Sequence, residues 1–69
     1  MTYDEINTAI AALEAAPSPA TNALLAQLLL ERGEMKRKAH NPDGAMQDAQ
    51  RAMQLDPSLV QGLSGTLNA

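Results

Sequence analysis

Four prolines stand at three places in this chain, and they decide where it can be helical. Pro17 and Pro19 flank Ser18, Pro42 follows Asn41, and Pro57 follows Asp56. Inside a helix each would remove a backbone hydrogen bond and clash with the turn before it, at about 3 kcal/mol. The same residue is welcome at the first helical position, where its missing N–H is not needed. The prolines therefore punctuate the chain rather than interrupt one long helix. The residues between them are Ala, Leu, Met and other strong helix formers. Tyr3 is the single aromatic residue, and the β-branched set is four Thr, two Ile and one Val. Too little of the chain suits a pleated sheet, so the composition predicts an all-α single domain.

Each segment carries its own start signal and stripe. Thr2 and Glu5 stand at capping-box spacing, and Tyr3, Ile6, Ile10 and Leu13 follow on one face, predicting a helix over about 3–16. Asp4, Asn7, Ala11 and Glu14 lie mostly away from that stripe. Ser18, or Thr21, is a cap for a second helix over about 21–39, in which Leu24, Leu25, Leu28, Met35 and Ala39 share a face. Arg32 falls near the middle of that face and Lys36 at its edge, both unexpected for a buried surface. Asn41 with Pro42 opens a third helix over about 43–55, with a stripe of Ala45, Met46, Ala49, Ala52 and Met53. Alanine on a stripe implies close approach of backbones, here against the second helix. Leu59, Val60, Leu63 and Leu67 line one side of a short, weak terminal helix over about 58–66. Gly62 and Gly65 weaken it by about 1 kcal/mol each.

Charge and residue types exclude several classes. The net charge of −3 lacks the basicity of a nucleic-acid binder. There is no cysteine, so no disulfide, thiolate metal site or thiol nucleophile. The single His40 stands at a helix end with no converging nucleophile and reads as a solvated terminal residue. Lys36-Arg37-Lys38 spreads around a helix rather than forming one stripe, and reads as a solvated turn. Met35, Met46 and Met53 read as core filling rather than a partner groove. Asp43-Gly44 lacks the rest of a calcium loop. No enzyme, metal or cofactor is expected. The acidic start and the short apolar runs point to a protein of the cytoplasm, outside the membrane.

The stretch from Ala45 to Pro57 resembles the second helix of a tetratricopeptide repeat, with Ala45, Ala52, Met53, Leu55, Asp56 and Pro57 at that family's small, apolar and Asp-Pro positions. Gly33 precedes Ala45 by twelve residues and, with Arg32, resembles the Arg-Gly variant of the repeat's first helix. Leu29 stands at the large apolar position before it. The resemblance covers about half the chain, in keeping with a repeat of about 34 residues. Ala9, Leu13 and Ala16 repeat the small–large–small spacing 36 residues upstream, suggesting a preceding half repeat. The implied architecture is an antiparallel helical hairpin with an additional N-terminal helix and a short C-terminal one. Lys36 and Ala49 depart from the family, which places bulk there. That implies thin packing, or a Lys36 stem laid along the core with its ammonium in water.

The resemblance also implies roles. Asp48 stands where the Arg-Gly variant often carries an acid, so an Arg32–Asp48 ion pair is expected across the hairpin; the bland alternative is an arginine reaching solvent without a fixed partner. Gly33, Ala45, Ala52 and Pro57 are structural. Ligands of the family lie against the exposed side of the first helix, here Gln27, Leu30, Glu34, Arg37 and Lys38, and periodicity also places these opposite the apolar stripe. The expected function is protein–protein interaction, as an adaptor or scaffold with a protein or peptide partner. The alternative is an assembly subunit whose helices complete a homodimer or larger complex. His40, Pro42 and Asp43 resemble the His-Pro-Asp loop of J-domain co-chaperones less well, because Asn41 interrupts the triad.

Overall fold

The computed structural model describes residues 1–58. It contains three α-helices, α1 (Tyr3–Ala15), α2 (Pro19–Lys38) and α3 (Pro42–Leu55). The chain is all-α, as its composition requires. The short terminal helix expected over about 58–66 lies, but for Ser58, outside the described residues.

The three starts follow the capping signals. The Thr2 hydroxyl accepts from the Glu5 N–H, and Glu5 accepts from the Thr2 N–H. The Ser18 hydroxyl accepts from the Thr21 N–H. Because Ser18 is the cap, α2 begins at Pro19, two residues before the expected start at 21, and Thr21 is the reciprocal partner in the box. Asn41 caps α3 by accepting from the Gly44 N–H at 3.1 Å, with Pro42 at the first helical position.

The turn between α2 and α3 is closed by His40, which takes a left-handed conformation with φ 63°. Its N–H donates to the Arg37 carbonyl at 3.1 Å, and the Asn41 N–H donates to the Lys36 carbonyl at 2.8 Å. This pair of bonds satisfies the last carbonyls of α2 and usually has glycine at its left-handed position. A Cβ there is strained, so His40→Gly is expected to raise stability by about 1 kcal/mol, even after the greater freedom glycine gives the unfolded chain. A thermal melt followed by circular dichroism should rise by about 5 °C; no rise would mean that the strain is already relieved.

The helix α2 is the shared element, since α1 and α3 both pack against it. Its buried residues, Leu25, Ala26, Leu28, Leu29 and Gly33, therefore wrap around about half the helix rather than one narrow stripe. From α1 the core takes Ile6 and Ile10, and from α3 Ala52, with Ala9, Leu13, Met35 and Leu55 packed around them. Gly33 sets how close α2 and α3 come: a Cβ there would stand 3.2 Å from the Ala45 carbonyl oxygen.

Four apolar residues expected inside, Tyr3, Leu24, Ala39 and Met46, are exposed. Leu24 is 50% exposed, Met46 60% and Tyr3 45%. Leu24 lies just past the edge of the α2 face that α1 and α3 cover, Ala39 sits beyond the last turn of α2, and Met46 is turned outward by the orientation of α3 described below.

Candidate functional site

Two features of α2 stand out, one on each side of the helix. The inner one is a cluster of charge. Arg32 donates from Nε to Asp48 Oδ2 at 2.9 Å and from Nη2 to Asp48 Oδ1 at 2.7 Å, a bidentate pair across the hairpin. The pair expected from the sequence is thus present. Two further partners were not foreseen. Lys36 Nζ lies 3.1 Å from Asp48 Oδ2, and Arg32 Nη1 donates to Asn7 Oδ1 of α1 at 3.0 Å. The Lys36 ammonium thus goes to Asp48 rather than to water. Its stem packs near Gly44, where an added Cβ would meet the Lys36 Cδ at 3.0 Å.

The Asp48 carboxylate is buried and faces two cations. Burial pushes its pKa up, but the hydrogen bonds and charges of Arg32 and Lys36 outweigh this and hold it below the usual carboxylate value. The hydrogen bond to Asp48 in turn raises Arg32. Among the described residues no buried side-chain polar atom lacks a partner. The cluster is satisfied, and it ties all three helices together. Outside it, Arg51 of α3 pairs with Glu14 of α1 at the surface.

The outer feature is the expected contact side. Gln27, Leu30, Glu34, Arg37 and Lys38 are all exposed. Leu30, Glu34 and Arg37 join Gly33 and residues of α3 (Pro42, Ala45, Met46 and Ala49) around a shallow open groove of about 370 Å³. Gln27 and Lys38 lie outside its lining. Its floor is made by small residues and its apolar walls by Leu30 and Met46. Its rim carries the Glu34–Arg37 ion pair, whose hydrogen bond holds Glu34 below its usual range and raises Arg37.

Met46 is the groove residue the sequence pattern misplaced, and a signal for it existed. Residues 46 and 48 stand about 160° apart on a helix of 3.6 residues per turn. Once Asp48 is assigned to the inner face by its pairing with Arg32, Met46 must point outward. The alanine stripe alone does not fix that rotation.

The described residues show no converging set of titratable groups beyond the satisfied cluster. No group of three or more His, Asp or Glu among them is placed to hold a metal ion. No described helix is long and apolar enough to cross a membrane. No family model, curated protein or solved structure matches this chain.

Proposed function

We propose that this chain is a small protein–protein interaction module of the tetratricopeptide type, without catalytic activity and working in the cytoplasm. The observation that carries the reading is the outer side of α2. It presents an exposed leucine and an ion pair beside an apolar groove, opposite a core that is already satisfied. An interior locked by Asp48 leaves that side free to be shaped by contact rather than by folding. Leu30, Glu34 and Arg37 are the contact residues at the groove, with Gln27 and Lys38 flanking them. Arg32, Asp48, Gly33, Ala45, Ala52 and Pro57 hold the scaffold, in the positions that the resemblance gives them.

The test compares the native chain with a Leu30→Asp, Arg37→Glu variant. Both positions are exposed, so the fold should be kept, which circular dichroism verifies. In capture from the native source with quantitative mass spectrometry, at least one protein should be recovered about tenfold less by the variant, the loss that truncating a contact anchor brings. Equal recovery of every captured protein would remove the outer side of α2 as the contact surface.

An assembly role is a second reading, and a specific observation favours it. The helix α1 also has an open outer face, a shallow depression lined by Met1, Asp4, Glu5, Thr8, Ala9 and Ala12.

A further inference from the structure

The chain turns again after α3. Asp56, Pro57 and Ser58 repeat the arrangement that opens α2 and α3, a capping residue followed by proline at the first helical position. The Asp56 side chain accepts from the Ser58 N–H at 3.2 Å, as an N-cap does, and Ser58 is already helical. A further helix is therefore started where α3 ends. We propose that residues 59–69 continue it, fold back along the hairpin and cover the α2/α3 groove. The groove then has an occupant from its own chain, and an outside protein gains it only by displacing that segment. The competition, though not the docking itself, rests on the reading of the groove as a contact surface.

Pattern is the first argument. Leu59, Val60, Leu63 and Leu67 share one side of a helix. Eleven residues that include Gly62 and Gly65 hold no helix of their own in water, so this stripe needs a surface. The groove offers one. Among the described residues nothing covers its apolar walls, Leu30 and Met46. Its floor of Gly33, Ala45 and Ala49 carries almost no side chain, so another helix can lie close to it.

Reach is the second. Met46 lies about 14 Å back along α3 from Leu55, and an eleven-residue helix spans about 16 Å. Turned at Asp56, the segment passes Ala49 and Met46 and stops short of Pro42. Only one side of the hairpin is open to it. The other side holds α1, with Asn7 on Arg32 and Glu14 on Arg51. Met46 stands about 160° around α3 from Asp48, which belongs to that inner cluster, so the groove faces away from α1.

Charge is the third. Residues 57–69 carry no charged side chain. The one acid and the one base of the groove, Glu34 and Arg37, are paired with each other. A neutral, apolar segment suits a groove whose charges already neutralise one another, because it strands neither of them.

The experiment uses the full chain, by nuclear magnetic resonance. Methyl contacts should join Leu63 or Leu67 to Leu30, Met46 or Ala49. They should survive dilution and be absent between copies in a mixture of labelled and unlabelled chain. A second measurement reads the cover directly. Met46 should oxidise in dilute hydrogen peroxide several-fold faster in a Leu63→Ser, Leu67→Ser variant than in the native chain, while Met1, 68% exposed, keeps one rate in both. Both substitutions lie outside α1, α2 and α3, and circular dichroism verifies that the variant folds. Contacts of the segment to another face, contacts between copies alone, or no contacts at all would overturn the proposal. So would equal Met46 rates in two folded chains. The contacts in the native chain decide the docking even where the variant fails to fold. A protein held at the groove should be recovered several-fold more by the Leu63→Ser, Leu67→Ser variant, since no segment competes with it; equal recovery would overturn the competition. Contacts absent, with a captured protein still lost by the Leu30→Asp, Arg37→Glu variant, would overturn the docking and leave the interaction-module reading standing. Contacts present, with every captured protein recovered equally by that variant, would uphold the docking and remove the reading.

Discussion

Asp48→Ala is expected to destabilise the chain by about 3–5 kcal/mol, the cost of removing one partner from a buried charge pair. For 69 residues the whole stability is roughly 3–10 kcal/mol, so this change removes much of it. The size follows from the geometry. The Asp48 carboxylate receives two bonds from Arg32 and one from Lys36, and its loss leaves two half-buried cations facing each other. It also frees the guanidinium that bonds Asn7, so α1 loosens along with the hairpin. Urea unfolding followed by circular dichroism gives the value. Adding Arg32→Met to the variant should recover part of the loss, because one stranded cation leaves too; a further loss on adding it would show that Arg32 acts by packing instead. The ionised form of Asp48 is favoured by folding, so its folded pKa lies below the unfolded one. The unfolded chain then binds more protons between those two values, and stability rises with pH across that window. The stabilisation is complete above the unfolded value of about 3.9 and is lost as pH falls through the lower, folded one. Asp48→Asn should lack that acid-side loss; an unchanged acid profile would assign the loss to another carboxylate.

Leu29→Ala is expected to cost about 3 kcal/mol, within the range for a leucine removed from a packed core. Leu29 is 1% exposed on α2, and the cluster it belongs to draws on all three helices. The walls of the cavity belong to different helices whose spacing is held elsewhere, by Gly33 against Ala45 and by the Asp48 cluster. They cannot all move inward to fill it. Leu24→Ala, five residues earlier at a position 50% exposed, is the control and should change stability by less than about 0.5 kcal/mol. Equal effects at the two positions, read from urea midpoints, would refute this assignment of the core.

What could be read from the sequence and what could not divides along a physical line. Caps and breaks are local, and Thr2, Ser18 and Asn41 announce them within four residues of chain. The all-α class and the helix boundaries follow from them, to within two residues. The Arg32–Asp48 pair was legible because a charge in the middle of an apolar stripe stood out, and the family resemblance put an acid at Asp48 to meet it. The rotation of α3 was not, since three alanines and two methionines give a shallow preference for one face over another. Asn7 could not be found at all: a polar residue on the second face of an amphipathic helix looks the same whether it meets water or a guanidinium. The side of α2 proposed for contact was legible only as an exposed direction. Its groove required the neighbouring helix, and with it Met46.

The central place of α2 has a consequence for the order in which this chain acquires its shape. Both flanking helices pack against the one adjacent to them in sequence, so the backbone contacts between helices are between chain neighbours. Loops closed to make them are short, contact order is low, and chains of this kind fold in microseconds to milliseconds. The two joints are not equivalent on that path. Joining α1 to α2 buries Ile6 and Ile10 whole, whereas α3 brings Ala52 and a carboxylate that must lose water before Arg32 and Lys36 reward it. The first joint is driven by apolar burial, whereas the second must also desolvate a carboxylate, and its loss would take apart the groove that α2 and α3 line together.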